Sequence, residues 1–550
     1  MERHDRYRMR IRSRTTAQWA AGLCLLVTLL LVTALLGPAH SDQSSDEPPV
    51  ASGRGEPKAM EHMFRGWPKP DVALLLSGQQ HGYLQPCGCS EPQTGGLARR
   101  YNFLHLLQNR DWPVVLADLG DIPQKSGAQT LVKYKYSMKS LLKLDYSAVG
   151  IGEHEVGAPL FDLLGEYALN EAKPAVLATN LLDKLANFPR DQAAKDSMVG
   201  DGKIMGGKNG TPSIGFFCVL GPTLAKKLDD KDKICFELQD KAIPRVLQGF
   251  QERKAELIVL LYQGDLKEAR EVAKQFKGLH VILHSGDQEE PSSRPVMEGS
   301  TMLIHVGHKG RYVGVVGVNR TNNAGQPFEL RYELAELGPD YETPKGKDQT
   351  NPIHALMEEY AKEIKDNDYL GKHPKGLHEM QIKYPGSEYK GSDACKKCHK
   401  TIYDEWKQHP HAHAYDTLKQ AVRPKLRQFD PECVVCHVTG LDYKTGFINE
   451  NATPHLNTVG CESCHGPASL HVKAKNDMQL RAALNPFKIR NGEDKKQHAN
   501  RLNDSCVKCH DIDNSVNFQF EEFWFKKKTY HKTPSDEKEA PDDETEKKEK

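Results

Sequence analysis

Net charge is missing from this chain of 550 residues, in which 75 Lys and Arg stand against 74 Asp and Glu. With no global field to draw it to a polyanion, charge gives no grounds for a nucleic-acid partner. Tandem repetition is missing too, which excludes a solenoid or propeller. Strand signals fade in the last third, where His, Cys, Gly and Lys crowd together instead, so that region predicts no ordinary sheet-built core. The length allows two or three domains with cores of their own.

What the last third does contain is a pentapeptide written four times. It reads CKKCH at Cys395 to His399, CVVCH at Cys433 to His437, CESCH at Cys461 to His465 and CVKCH at Cys506 to His510. Cys-x-x-Cys-His is the attachment signature of c-type haem. Cys395 with Cys398, Cys433 with Cys436, Cys461 with Cys464 and Cys506 with Cys509 each offer two thiols for the haem vinyl groups. The His that follows is placed to ligate the iron. A pair of zinc ribbons would use the same Cys spacing, but it gives no reason for a His after every second Cys. His399, His437, His465 and His510 are therefore the expected proximal ligands of four covalently bound haems. For the opposite faces the region offers His409, His411, His413, His455, His471, His498 and His531, although a surface role is the ordinary reading of any one of them.

Six arginines between Arg3 and Arg14 precede an uncharged stretch from Thr15 to Ser41 with the centre WAAGLCLLVTLLLVTALLG. This pattern predicts export to the periplasm or another extracytoplasmic compartment. Residues 1–40 read either as a cleaved signal peptide, with Gly37 and Ala39 as a small-x-small site, or as a membrane anchor approaching the ~20 residues a span needs. Residues 41–70 read as a linker. Outside the haem motifs and Cys24 there remain Cys87, Cys89, Cys218 and Cys235. The segment around Cys218 and Cys235 predicts two strands flanking a charged turn, closed by a disulfide. Cys87 and Cys89 fit a strained disulfide, a thiol metal site or two buried cysteines.

From Asp71 to Leu337 short apolar runs such as VALLLSG, PVVLADLGD and ELIVLLYQG alternate with amphipathic stretches. That alternation predicts an α/β domain, layered as an αββα sandwich, with its site in loops at the carboxyl ends of strands. Residues 338–389 read as a connection built around a helix near Asn351 to Asp366. Residues 390–533 read as a mainly α multihaem domain packed around its haems, and 534–550 as a solvated charged tail.

The runs CKKCHKTIYDEWKQHPHAHAYDTL, VGCESCHGPASLH and FEEFWFKKKTYH resemble the tetrahaem cytochrome c family that takes electrons from hydroxylamine oxidoreductase. The resemblance implies distal roles for His411 or His413, for His471 and for His531, with Trp406 and Trp524 packed on macrocycles. His455 and His498 are weaker candidates. It also admits one five-coordinate haem. In the front domain LLLSGQQHGYLQPCGC, LADLGD, GIGEHE, VLATNLL and MLIHVGHKGRYVGVVGV resemble, in order and spacing, the 5'-nucleotidases of the calcineurin-like metallophosphoesterases. That family holds two metals, and the resemblance implies metal-ligand positions at His81, Asp121 and Glu153 and a catalytic His154 beside Glu155. The pattern is eroded. Gln79 stands at an Asp position, Glu153 at an Asn, Gln263 at a His, and Gly286 and Gln288 at two further His. His284, Asp287, His305, His308 and the pair Cys87 and Cys89 could rebuild a different site.

The expected function is electron transfer by an exported tetrahaem cytochrome whose front domain docks a redox partner protein or binds a nucleotide or other small ligand. Two alternatives stand beside it. One is a metal-dependent hydrolase that uses His154, and the other is a haem oxidoreductase acting on a small nitrogen or sulfur compound.

Overall fold

The computed structural model describes residues 60–523, apart from 61, 87–92, 168–172, 184–198, 229–232, 324, 512 and 516. All of these lie in one compact unit, Glu56–Lys550. The N-terminal apolar segment, Cys87, Cys89, Trp524, His531 and the charged tail lie outside the described residues. Among the described residues no helix is long and apolar enough to cross a membrane.

The central strands form where apolar residues run unbroken, as in Val72–Ser77 and Leu257–Gln263. In chain order the strands are β1 (Val72–Ser77), β2 (Val114–Asp118), β3 (Ala148–Gly150), β4 (Ala175–Leu177), β5 (Leu181–Asp183), β6 (Lys203–Gly206), β7 (Ser213–Leu220), β8 (Ile234–Phe236), β9 (Leu257–Gln263), β10 (Val281–His284), β11 (Val296–Glu298), β12 (Thr301–Ile304), β13 (Tyr312–Arg320) and β14 (Phe328–Glu336). Between and after them come helices α1 (Leu97–Gln108), α2 (Thr130–Lys143), α3 (Glu153–Gly157), α4 (Leu160–Tyr167), α5 (Pro222–Leu228), α6 (Gln239–Glu252), α7 (Leu266–Gln275) and α8 (Pro352–Asp366).

Two six-stranded sheets result, ordered β14-β13-β1-β2-β3-β4 and β11-β12-β10-β9-β7-β6. Each has a parallel centre, β1 to β4 in one and β12, β10, β9 and β7 in the other, with antiparallel strands outside it. Side chains alternate faces along a strand. Val72, Leu74 and Leu76 of β1 therefore meet Phe216, Val259 and Leu283 of the other sheet in a core between the two. Ala73 and Leu75 turn instead to the helix layer that includes Phe103 and Leu141. On the second sheet Phe217, Leu260 and Ile282 pack outward on Phe250 and Val272. Burial on both faces is why these strands read as continuous apolar runs. The front domain is the layered α/β sandwich expected.

Two expectations change. Cys218 is buried in β7, its Sγ 3.7 Å from the Ile151 carbonyl, while Cys235 lies in β8, which pairs with β5, and both thiols are free. The segment between them is not a hairpin turn, because α5 intervenes and the two strands belong to different sheets, so no disulfide forms. The end of the stretch read as linker packs on the domain: Met60 and Phe64 are buried, and Trp67 stacks on Trp112 with centroids 6.0 Å apart.

The expected connecting helix is α8. Its Ile353, Leu356, Met357, Tyr360 and Ile364 complete the apolar layer under α1 and α2. Past β14 the described chain is helical and irregular, with an isolated bridge between Gly376 and Tyr443. Its apolar clusters are small, the largest joining Leu370, Tyr389, Tyr415, Leu418, Val434 and Phe447 among others. This helical region docks on the sandwich through polar contacts. Asp430 accepts from Gln129 Nε2 at 2.9 Å and from the Tyr360 hydroxyl at 3.3 Å, and Lys133 pairs with Glu432. Arg423 donates to the carbonyls of Thr343 and Pro344 at 2.8 and 3.1 Å. Lys309 and Arg311 grip Asp513 at 2.6 and 3.0 Å.

A Cβ added at Gly150 would lie 2.2 Å from the Leu119 carbonyl oxygen and 2.9 Å from Cys218 Sγ of the facing sheet. We expect Gly150→Ala to cost about 3 kcal/mol. Gly157→Ala, with nothing within 4 Å, should change stability by less than about 1 kcal/mol. Urea denaturation of the two variants checks the pair.

Candidate functional site

Each Cys-x-x-Cys-His sits on a helical turn, which brings the two thiols and the His to one side. Backbone bonds close that turn: Cys398 N and His399 N donate to Cys395 O, Cys509 N and His510 N to Cys506 O, and His437 N to Val434 O. In the third motif the turn is the helix Cys461–His465. All eight motif cysteines stand outside disulfides.

Three of the four motif histidines hold Nδ1 on an oxygen. His437 Nδ1 donates to Ala414 O at 2.6 Å, His465 Nδ1 donates to Leu484 O at 2.6 Å, and His510 Nδ1 bonds Ser515 Oγ at 3.1 Å. Fixing the proton on Nδ1 leaves Nε2 with its lone pair available to a metal, the arrangement that ligating histidines use. The donor set and its orientation therefore fit c-type haem. The four motifs also lie against one another. The Cys395 and Cys461 thiols are hydrogen-bonded, as are those of Cys436 and Cys509, and Cys464 is close enough to feel Cys506 and Cys509.

Among the expected distal residues the structure discriminates. His411 is half-buried, its ring centroid 5.9 Å from that of His510. Burial, then His409, His510 and His437, hold its pKa down to about 4. Two imidazoles bound to one metal, each through a bond of about 2 Å, need a centroid separation close to this. His413 instead turns its Nε2 to the Lys407 carbonyl at 3.0 Å. His471 Nδ1 is buried without a hydrogen-bond partner. Burial, then His399 and Arg481, push its pKa down. His409 spends Nδ1 accepting the His411 N–H, and His498 Nδ1 accepts from Arg501 at 2.9 Å. His455 sits in a single 3-10 turn, Pro454–Leu456, with its side chain exposed. Trp406 is buried beside Tyr403, its indole N–H donating to Val459 O at 3.0 Å.

Three acids escaped the sequence reading. Glu462, inside the third motif, accepts the N–H groups of Lys390, Gly391 and Ala468 at 2.8, 2.7 and 2.8 Å, tying that motif to the approach to the first. Asp430 caps the helix that opens the second motif while its carboxyl, pushed up to about 6 by burial and then by Glu432, meets the sandwich. Asp513 follows the fourth motif. The first two left only local signals, a carboxylate inside a motif and an Asp at a helix start, and Asp513 left none.

At the strand ends of the sandwich the positions expected from the phosphoesterase resemblance also converge. His81 stacks near His154 and His308, at 4.3 and 4.9 Å, and His284 near His305 at 5.6 Å. Gln79 crosses the middle: its Oε1 accepts from His305 Nε2 at 3.2 Å and from Gly286 N at 3.3 Å, and its Nε2 donates to Gly286 O at 3.2 Å. Asp121 Oδ1 accepts the His154 N–H at 2.8 Å. Glu155 accepts three backbone N–H groups, and burial, then Asp121, push its pKa up. Glu153 pairs with Lys227 of α5 at 2.6 Å. Gln263 donates to Leu119 O at 2.8 Å while its Oε1 is buried without a partner. Gly286 serves the cluster through its backbone. Asp287 is exposed, as is Gln288. Among the described residues no three His, Cys, Asp or Glu side chains are arranged to hold a metal ion. Gln79, His81, Asp121 and Lys309 all adopt positive φ, at 48°, 53°, 55° and 63°. Backbone strain of this kind collects at functional sites.

A family profile described as Cytochrome c554 and c-prime matches residues 394–466. Cytochrome c-554 of Nitrosomonas europaea is 40% identical over 90 residues, 14% of this chain and 38% of that protein. The chain thus spans well under half the length of this relative. Its reduced-state structure aligns at 26% identity and TM-score 0.20, covering 26% of this chain and 85% of that one. A 5'-nucleotidase precursor from Thermus thermophilus aligns at 17% identity and TM-score 0.43, covering 53% of this chain and 59% of that one. The C-terminal region carries a cytochrome c554 domain.

Burial, then His154, His308 and Lys309, bring the His81 pKa down to about 3. Below pH 6.5 the unfolded chain takes up a proton here that the folded chain refuses, so stability falls as pH drops toward 3. At pH 5 this group alone removes roughly 2 kcal/mol. His81→Asn, which tolerates the positive φ, should shrink the loss of stability between pH 7 and pH 5, as read by urea denaturation followed by far-UV circular dichroism.

Proposed function

We propose that this protein is an exported c-type cytochrome that binds four haems and passes electrons among them, with a front domain that has given up two-metal hydrolysis. The observation that carries the reading is the trio His437, His465 and His510, each with Nδ1 on a carbonyl or hydroxyl oxygen beside paired thiols. Haem held at these motifs supplies reversible one-electron exchange. The chain supplies its placement. Contacts between Cys395 and Cys461, and between Cys436 and Cys509, bring the first motif beside the third and the second beside the fourth.

His411 serves as the distal ligand opposite His510, and His471 the one on the haem of His399. Burial, then His409, His510 and His437, lower the His411 pKa to about 4, so that at neutral pH its imidazole keeps a lone pair available. Export rests on the arginine-rich start and apolar run. The external partners are redox proteins that give and take single electrons. In the front domain an amide fills the place of a ligand carboxylate, since Gln79 crosslinks His305 and Gly286, and Glu153 is drawn away to Lys227. That arrangement favours a binding or docking role over hydrolysis.

Haem content measured as the pyridine haemochrome should equal four per chain, and fewer would contradict the reading. His411→Ala should open one haem and produce a high-spin ferric signal in electron paramagnetic resonance. His413→Ala should leave the spectrum as in the parent.

A further inference from the structure

The fourth haem motif is held in place partly from outside its own domain. Asp511 Oδ1 accepts the backbone N–H groups of Asp513 and Asn514 at 3.0 and 2.6 Å, and Asp511 O accepts that of Ser515 at 2.9 Å. The turn so formed presents Ser515 Oγ to His510 Nδ1 at 3.1 Å. On its other side Asp513 reaches the sandwich. Its carboxylate takes Lys309 Nζ at 2.6 and 2.8 Å, Arg311 at 3.0 Å and the Tyr83 hydroxyl at 2.9 Å.

This clamp is largely removed from water: the side chains of Lys309, Arg311 and Asp513 are 11%, 13% and 15% exposed. Burial alone would depress the Lys309 ammonium. Hydrogen bonds to Asp513 and Glu289 outweigh it and hold the group above its usual value. Lys309 is also fixed by its backbone, in a left-handed conformation with its N–H on Gln79 O at 2.7 Å, beside the histidine cluster. Both ends of the clamp are therefore stiff, and a stiff clamp can set the position of the turn between them.

We propose that Asp513 is a positioning residue for the haem ligand His510, and that through it the front domain sets the potential of that one haem. The proposal rests on the reading of His510 as an iron ligand. An imidazole that donates Nδ1–H to an oxygen is a stronger donor to a metal bound at Nε2, which favours the oxidised state. Losing the Ser515 contact moves the potential of this haem upward. Losing the Asp513 carboxylate moves it the same way, both by releasing the turn and by removing a nearby negative charge.

The test is a potentiometric titration of the haem-loaded full chain, followed optically and by electron paramagnetic resonance, for Asp513→Asn, Ser515→Ala and Arg423→Gln. Arg423 holds the two domains together without touching a haem motif. Asp513→Asn and Ser515→Ala should each raise the same one of four midpoint potentials, and Arg423→Gln should raise none. Amide exchange at Asn514 and Ser515 should quicken in Asp513→Asn but not in Arg423→Gln. Unchanged potentials in Ser515→Ala, or equal shifts of all haems in Asp513→Asn, would overturn the proposal. His510→Ala separates the premise: a full complement of low-spin haems in that variant would remove His510 as a ligand, whatever the other variants do.

Discussion

The whole C-terminal region depends on what fills its interior. Its described side chains gather only into small apolar clusters, whereas the sandwich buries a continuous layered core. Ordering a chain costs about 1–2 kcal/mol per residue in backbone entropy, and clusters of that size offset little of it. On the proposed reading, covalently attached macrocycles, large and apolar, would supply the missing interior, and thioether bonds would keep them there. The oriented imidazoles, the buried unpartnered Nδ1 of His471 and the contacts between thiols of different motifs are features of a polypeptide shaped around such groups.

The second constraint is the junction. The helical region meets the sandwich through acids adjacent to haem motifs, Asp430 at the second and Asp513 at the fourth. The thiols of those two motifs also touch one another. One pair of Cys-x-x-Cys-His motifs is thereby held against the front domain, and α8 packs its apolar face on the sandwich while Tyr360 reaches Asp430 of the helical region. An interface of carboxylates, guanidinium groups and amides fixes geometry more than it adds stability, because the desolvation of charges offsets most of their attraction. Fixed geometry is what electron transfer among closely set centres requires.

Much of this was legible in the residues. The haem motifs are contiguous because a single helical turn brings two thiols and one axial ligand to the same side. The strands of the sandwich were legible because burial on both faces leaves unbroken apolar runs such as β1 and β9. Other features were not. Cys218 and Cys235 looked like partners because they are near in sequence, yet they lie in strands of different sheets. His411 and His413 are equivalent in the pattern, and only burial and the Lys407 carbonyl tell them apart. The strand-end histidines His305 and His308 were legible as candidates, but the part played by the Gly286 backbone was not, since no alignment of side chains reveals it. Asp430 and Asp513 find their partners some 200 to 300 residues away, a separation at which periodicity and spacing carry no information.

The most direct measurement of the central claim is an anaerobic reductive titration of the full-length protein, counting electrons accepted per chain. A four-centre cytochrome takes up four, with the absorbance of reduced c-type haem rising in step until the fourth is consumed. Saturation after one or two electrons, with motif thiols still reacting with an alkylating reagent, would show that the motifs do not all carry haem and would contradict the account.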